Sequence, residues 1–475
     1  MSWLGLDLGT SSLKAAVVGD DGRLLGVARA SYPTHAAGAV VEQDARDYDG
    51  ALAAVLQDLG DHLPGVEGVG LVGQTPTLVL VDDHGEPVAP AIVWRDARAA
   101  AEAGELEARF GAGARPLVGM DLPWSPSFPP ARLLWLAHHA SGVQARTRWV
   151  LQPKDFLGHR LTGAIASDPW SSKGLCDVRT SAPATELLAA LGWSDHVVPP
   201  IRPAWEPLGA VRAAAHGLRA GVPVSVGWSD ALAGMLAVGA FDAPTAFVIS
   251  GTSDIAGISA HREPVDSSGL LSIPSTCAPL PVVYGPTQSS GGSVEWWARI
   301  LGVEPDDLVA LAAKADGSAP VFTPYLAGER APLWNDTVRG ALMGLDAGHG
   351  RAELARGVLL GVALSGRHVL DTAAERLGAP FAEVRTAGRD ALDDTWAAIR
   401  RTTLGVPVRR LAHPDPSCLG AAMLGALASG RSAEDLVLMR GEMRLDEPSA
   451  GERRAATTLF ERYLEAAGLS MAFAG

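Results

Sequence analysis

The sequence predicts an α/β protein built from two related domains, and three observations carry that expectation. Short apolar runs of strand type alternate with longer helical patterns along the whole chain. One strand–turn–strand unit occurs twice, about half a chain apart. The 475 residues are also too many for a single compact core.

The elements follow in order. Leu4 to Leu8 and Leu13 to Val18 read as two strands around the turn Gly9-Thr10-Ser11-Ser12. Leu71, Val72 and Leu78 to Val81 read as a second strand pair, closed by the turn Asp82-Asp83-His84-Gly85. Helical patterns occupy Ala97 to Arg109 and Ala131 to His139. Val222 to Val226 reads as a strand, Gly227-Trp228-Ser229-Asp230 as its exit, and Ala231 to Val238 as a helix. The opening unit, Leu4-Gly5-Leu6-Asp7-Leu8-Gly9-Thr10-Ser11, is echoed by Ala246-Phe247-Val248-Ile249-Ser250-Gly251-Thr252-Ser253. The domain boundary is expected near Gly239 to Pro244, giving domains over 1–241 and 242–475. Asp7 stands two residues before its glycine, where the second copy has Ile249. One carboxylate-bearing turn on a duplicated scaffold suggests a single active site between the halves.

Composition narrows the function. Hydrophobic residues make up 47% of the chain and charged residues 19%, as in an ordered globular protein. A net charge of −14 argues against a nucleic-acid surface, which needs clustered Lys and Arg. A nucleotide remains compatible, because backbone amides and one or two cations hold a triphosphate inside an acidic protein. The three cysteines, Cys176, Cys277 and Cys418, are far apart and form no CxxC, which argues against a disulfide framework and fits a reducing compartment. No apolar stretch is long enough for a bilayer and no signal peptide is evident, so a cytoplasmic protein without a membrane partner is expected.

The chemistry concentrates in a few segments. A Gly-Thr-Ser turn offers backbone N–H groups and two hydroxyls at close range, a workable phosphate cradle, although a tight hairpin turn explains any one such tripeptide. Two copies in equivalent positions, with Asp7 beside the first, favour phosphate binding. Asp7 suits Mg²⁺, directly or through water, or simply initiates a turn. Lys14 either reaches a phosphate or stands in solvent. Asp230, at a strand-to-helix exit, is either a helix N-cap or the carboxylate that orients and deprotonates an attacking hydroxyl. Among thirteen tryptophans, Trp296-Trp297 reads as core packing, and Glu329-Arg330 as a structural ion pair. His138-His139 lacks metal-ligand spacing and a nearby carboxylate pattern.

Five segments in order together resemble the FGGY carbohydrate kinases, with xylulokinases the nearest members. They are Leu6 to Lys14; Gly73-Gln74 with Trp94-Arg95-Asp96-Ala97-Arg98; Gly227 to Asp230; Ser250 to Ser253; and Pro324 to Pro332. The resemblance spans essentially the whole chain. It implies two ribonuclease H-like, actin-like ATPase domains with a sugar cleft between them and ATP on the C-terminal side. By matching position it implies Asp230 as catalytic base and Asp7 as the carboxylate near Mg²⁺. Gly9, Thr10, Ser11 and Lys14, with Gly251, Thr252 and Ser253, fall in the ATP phosphate loops. The resemblance further implies that Gln74, Thr75, Pro76, Trp94, Asp96 and Asp168 face the substrate. The segment Phe128 to Trp135, with Arg132, also resembles a family segment. A homodimer is the default expectation.

Two departures bear on specificity and nucleotide. Xylulokinases usually read Gly-Gln-Met-His-Gly, whereas this chain has Gly73-Gln74-Thr75-Pro76-Thr77, so a sugar-facing imidazole donor is replaced by a proline without one. Trp170 stands where a serine is usual, implying a changed wall. In the adenosine loop, aligned on Trp396, the usual glycine-rich run becomes Gly388-Arg389-Asp390-Ala391-Leu392-Asp393. Gly388, Arg389 and Ala391 are then the expected ATP contacts, while Asp390 and Asp393 are expected to repel phosphate. The function expected is phosphoryl transfer from ATP to a xylulose-like ketose, polyol or sugar acid. The alternatives are a catalytically silent sugar-binding relative and an actin-like ATPase with a protein client.

Overall fold

The computed structural model describes residues 1–111, 113–121, 124–214, 216–264 and 266–474. The chain forms two compact units. One comprises Met1–Ala237, Thr276–Pro279 and Ser417–Gly441; the other comprises Val238–Ser275, Leu280–Pro416 and Glu442–Gly475. The first passage between units falls at Ala237–Val238, and two later segments return to the first unit.

In the first unit, β1 (Ser2–Leu8) runs antiparallel to β2 (Ser12–Gly19), which runs antiparallel to β3 (Leu24–Ser31). On its other side β1 pairs parallel with β4 (Val66–Gly73). Next come β5 (Pro207–Ala210), β6 (Pro223–Ser225) and the short β7 (Trp228–Ser229), in the order β5-β6-β4-β1-β2-β3 with β7 also on β4. Every residue of β1 is buried, which explains its near-continuous apolar sequence as a central strand covered on both faces. The edge strand β3 shows the opposite pattern, with no fully buried residue. Helices α1 (Arg46–Leu59), α2 (Pro129–His139), α3 (Pro153–Thr162) and α4 (Asp230–Ala237) complete the parts that matter here. Leu4, Leu6, Tyr48, Val55, Leu71 and Phe156 belong to one buried cluster joining the sheet to α1 and α3.

The expected pairing of Leu71-Val72 with Leu78 to Val81 does not form. Both edges of β4 are taken by β1 and by β6 with β7, so Val79–Val81 pairs instead with Trp149–Leu151. Leu4 to Leu8 and Leu13 to Val18 fall within β1 and β2, whereas the strand expected over Val222 to Val226 is shorter, Pro223–Ser225.

The second unit repeats the pattern. β8 (Ala246–Ser250), β9 (Ile255–Ser259), β10 (Leu271–Ile273), β11 (Val282–Pro286), β12 (Val384–Gly388), β13 (Val408–Arg410) and β14 (Arg444–Asp446) are ordered β10-β11-β9-β8-β12-β13-β14. β8 is antiparallel to β9 and parallel to β12, as β1 is to β2 and β4. Helices α5 (Gly291–Leu301), α6 (Arg351–Leu377) and α7 (Asp394–Leu404) belong to this unit. The repeat read from sequence is therefore a repeat of topology. Helix α8 (Pro416–Ala428) follows and, from Ser417, belongs to the first unit. It is rich in Ala and Gly because it packs on backbone: a Cβ on Gly5, Gly68 or Gly70 would lie 2.2, 2.2 or 1.6 Å from carbonyl oxygens of Cys418, Gly425 or Ala421. No helix among the described residues is long and apolar enough to cross a membrane, and the three cysteines are buried and not disulfide-bonded.

Candidate active site

Strand register gathers the first set of groups. Leu8 of β1 and Ser229 of β7 both pair with Gly73 at the end of β4, so Asp7, Gln74 and Asp230 emerge at the carboxyl ends of neighbouring strands, where open α/β sheets bind ligands. Asp7 is buried; it lies opposite Lys14 across the β1–β2 pair, with Nζ 3.6 Å from Oδ2, and it accepts from Ser417 Oγ at 3.0 Å. Asp230 begins α4, and its Oδ1 accepts from the Ala231 N–H at 2.7 Å. Its carboxyl is pushed up to about 6, first by surrounding protein and then by the negative charge of Asp7. Water reaches this side chain, so its desolvation is partial, while the repulsion from Asp7 acts in the same direction. A carboxylate poised in this way suits a general base.

The turn after β1 is pinned through its carbonyls. Tyr32 Oη donates to Gly9 O, Gln43 Nε2 to Thr10 O at 2.6 Å, and the Tyr32 N–H to Ser11 O at 3.3 Å. In a planar trans peptide the N–H that follows a carbonyl points the opposite way, so the Thr10 and Ser11 amides are turned away from these donors. That leaves an amide-lined face suited to phosphate oxygens. Gln43 is fully buried and also accepts from Tyr48 Oη at 2.7 Å and Gln74 Nε2 at 3.0 Å. The sequence reading missed it, since a glutamine between two acidic residues reads as surface; only its burial reveals its role.

Gln74 leaves Oε1 buried and without a hydrogen-bond donor among the described residues. Thr75 and Pro76 follow directly, joined by a cis peptide bond. The Trp94 indole donates to Thr10 Oγ1 at 3.0 Å, which brings the Trp94 segment to the Gly9-Thr10-Ser11 turn. Asp96 does not join them. Its oxygens accept from Arg98 at 2.7–3.0 Å and from the Val41 and Arg98 amides at 2.6 and 3.0 Å. Burial alone would raise this carboxyl, but those donors outweigh it and hold it below the usual range. Arg132 of α2 is fully buried and donates to the carbonyls of Pro76, Ile92, Val93 and Pro126 at 2.8–3.3 Å, strapping the Thr75-Pro76 and Trp94 segments together.

Asp168 lies under the end of β4 through Lys154. Lys154 Nζ is 2.5 Å from Asp155 Oδ1, 3.1 Å from Asp168 Oδ2 and 3.4 Å from Val226 O, all fully buried side chains or strand-end backbone. Burial works against the Lys154 charge, but the two carboxylates more than restore it. Asp168 Oδ1 also accepts from the Trp170 and Ser171 amides, both at 3.0 Å, so it organises the turn that carries Trp170 and Lys173. Lys173 was not foreseen, having no motif to mark it.

In the second unit the corresponding turn is pinned in a similar way. The Gly291 N–H donates to Gly251 O at 3.1 Å, and the Ser290 and Gly292 amides to Thr252 O at 2.9 and 3.1 Å. Ser253 completes the turn, and its neighbour Asp254 is fully buried against Arg400 at 2.5 Å. Ser250 pairs with Gly388, where a Cβ would lie 2.2 Å from Ser250 O, so Gly388 serves the close approach of two strand ends. Ala391 is buried and its carbonyl accepts from Arg410 at 3.2 Å, while Arg389 is exposed and pairs with Asp306 at 2.6 Å. The expected repulsion from Asp390 and Asp393 is blunted. Asp390 pairs with the buried Arg400 at 2.9 Å, and Asp393 caps α7, accepting from the Trp396 N–H at 2.9 Å.

Three smaller expectations resolve here too. Trp297 is partly buried, packing edge-on against Phe322 and against a buried apolar cluster, as core. Glu329 accepts from the Gln288 and Arg330 amides and from Ser365 Oγ, while Arg330 donates to Thr287 O, so both brace a loop as structural residues, with no ion-pair contact between them among the described residues. Glu102 does bring a carboxylate to His138 and His139, at 3.7 and 3.0 Å, contrary to the sequence reading.

Residues 2–237 match the model of the FGGY family of carbohydrate kinases, N-terminal domain, and residues 246–429 match that of the C-terminal domain. The chain is 31% identical to the xylulose kinase of Escherichia coli (strain K12) over 90% of each chain. It is 31% identical to the glycerol kinase of Dechloromonas aromatica (strain RCB) over 95% of this chain and 94% of that one. A solved xyloylose kinase from Brucella ovis superposes over 100% of both chains with a TM-score of 0.89 at 27% identity.

Proposed function

Because the chain belongs to the FGGY family of carbohydrate kinases, which use ATP as phosphate donor, we propose that it phosphorylates a small polyhydroxylated acceptor with Asp230 as general base. The observation that carries this assignment is the placement of Asp230 beside Asp7 at the strand ends, with its carboxyl pushed up to about 6. Asp230 takes the proton of the attacking hydroxyl as its oxygen bonds to the γ-phosphorus, and the bond to the β-phosphate oxygen breaks to release ADP. The pinned turns Gly9-Thr10-Ser11 and Gly251-Thr252-Ser253 are assigned to phosphate oxygens, and Lys14 to holding Asp7 in place.

Mg²⁺ fits this donor set. The negative charge of Asp7 raises the cost of ionising Asp230, and carboxylate oxygens are what a hard divalent ion takes. Asp7 is the residue assigned to hold it, where it would neutralise charge on the phosphate oxygens. Gln74, Thr75, Pro76 and Trp94 are assigned to the acceptor side, and Asp168 to shaping its wall. Asp96 is assigned a positioning role through Arg98 and the Val41 amide. Localisation in the cytoplasm and a homodimer complete the reading.

The test is ADP release from ATP and Mg²⁺ across ketoses, polyols and sugar acids, for the wild type and Asp230→Ala. Turnover of a compound that disappears in the variant while the sugar still binds is the expected result; equal turnover in both would remove Asp230 from the role of base.

A further inference from the structure

The first unit holds two buried lysines whose surroundings differ sharply. Lys154 has two aspartates and a carbonyl around its ammonium. Lys173 is 7% exposed, yet no carboxylate lies within ion-pair distance of it among the described residues. Its Nζ donates to Trp170 O at 3.2 Å and sits 5.0 Å above the Trp170 ring. An ammonium has three donors, and one carbonyl with one aromatic face leaves donor capacity unused in a dry place. Burying a cation so incompletely is costly unless something else completes the shell. Burial accordingly pushes Lys173 down to about 8.

The location gives that missing partner a direction. The charges that act on Lys173 include Asp168 and Asp230, and Lys173 in turn acts on Asp230, so the ammonium lies on the side of the base. The turn that carries it is fixed by the amides donated to Asp168 Oδ1 and by the Lys173 N–H to Trp170 O bond at 3.3 Å, so the ammonium is held and not swinging. Trp170, the residue that departs from the family pattern, is the same one that supports the cation.

We propose that Lys173 is a substrate-binding residue whose ammonium pairs with the carboxylate of an acidic sugar, making the acceptor a sugar acid in preference to a neutral ketose or polyol. This deepens the kinase reading and rests on it through Asp230.

The experiment compares aldonates with alditols of the same carbon count, and with ketoses, as acceptors for wild type, Lys173→Met and Asp230→Asn. Binding of the same compounds is followed by calorimetry, and melting temperature is recorded for each variant. The wild type is expected to prefer an aldonate, and Lys173→Met to lose about a hundredfold or more in kcat/KM for it, chiefly through KM. Lys173→Met is expected to melt at or above the wild-type temperature, since an apolar chain of similar length replaces an incompletely paired buried cation. A structural lysine would instead give a lower melting temperature. Preference of the wild type for neutral acceptors, or unchanged aldonate kinetics in Lys173→Met, overturns the proposal. If no acceptor is phosphorylated, the kinase reading fails separately, and calorimetry still decides: aldonate binding lost in Lys173→Met supports the proposal, and its absence from the wild type overturns it.

Discussion

Asp230 carries two charges' worth of consequences in one carboxyl. Its folded value of about 6 lies above the ordinary 3.8, so the folded state holds that proton more tightly than the unfolded state. The unfolded chain therefore binds fewer protons between those values, and this group's contribution to stability falls as pH rises from 3.8 toward about 6. Catalysis has the opposite need, because only the ionised form accepts a proton. With a good acceptor, kcat/KM should climb about tenfold per pH unit on the acid side and level off above about 6, which a pH–rate profile reads directly. Asp230→Asn should abolish this profile with the activity and raise the melting temperature slightly at pH above the inflection. The rise is small because solvent screens an exposed group. A fall in melting temperature would mean that the carboxylate is structural. Asp230 was legible from sequence as a residue, at a strand exit before a helix. The influence of Asp7 on it was not, since those residues are far apart in the chain and meet only through strand register on β4.

At the scale of the element, both Gly-Thr-Ser turns were readable because each follows an aliphatic strand and recurs. What anchors them was hidden. The first is held by Tyr32 and Gln43, the second by the amino end of α5, and neither contact leaves a periodic trace in the sequence. The loop from Gly388 to Asp393 shows the reverse error of scale: Asp390 and Asp393 read as repulsive charges, yet one is matched by a buried arginine ten residues on and the other is a helix cap. The anchoring at α5 is tight. A Cβ on Gly291 would lie 2.7 Å from the Gly251 carbonyl oxygen, too close for backbone, so Gly291→Ala must displace the second turn. With the fold intact by circular dichroism, this variant should raise the KM for ATP several-fold or more and leave acceptor affinity little changed. Unaltered nucleotide kinetics would detach the Gly251 turn from phosphate binding.

For the whole molecule, the alternation of strands and helices, the duplication and the family were all carried by local pattern, whereas the chain's route was not. A helix rich in Ala and Gly near the C-terminal end gives no sign from sequence of which sheet it will lie on, since small residues make it neither strongly amphipathic nor distinctive. In the structure α8 lies against strands laid down at the start of the chain, and Ser417 at its beginning bonds Asp7. The contact is backbone on backbone. Gly70 faces the Ala421 carbonyl with room for hydrogen only, and a Cβ on Gly425 would in turn lie 2.7 Å from the Gly70 amide nitrogen. Gly50, by contrast, sits in α1 with nothing within 4 Å of a built Cβ. The same substitution should then act in opposite directions at the two sites. Gly50→Ala removes backbone freedom from the unfolded chain and should stabilise by up to about 1 kcal/mol. Gly70→Ala forces α8 off the sheet and should cost at least about 2 kcal/mol in urea unfolding. Because α8 carries Ser417, it should also lower kcat by loosening Asp7, an effect that restoring stability with Gly50→Ala would not repair. If Gly70→Ala loses stability but keeps full kcat, the link from α8 through Ser417 to Asp7 is dispensable for the chemistry.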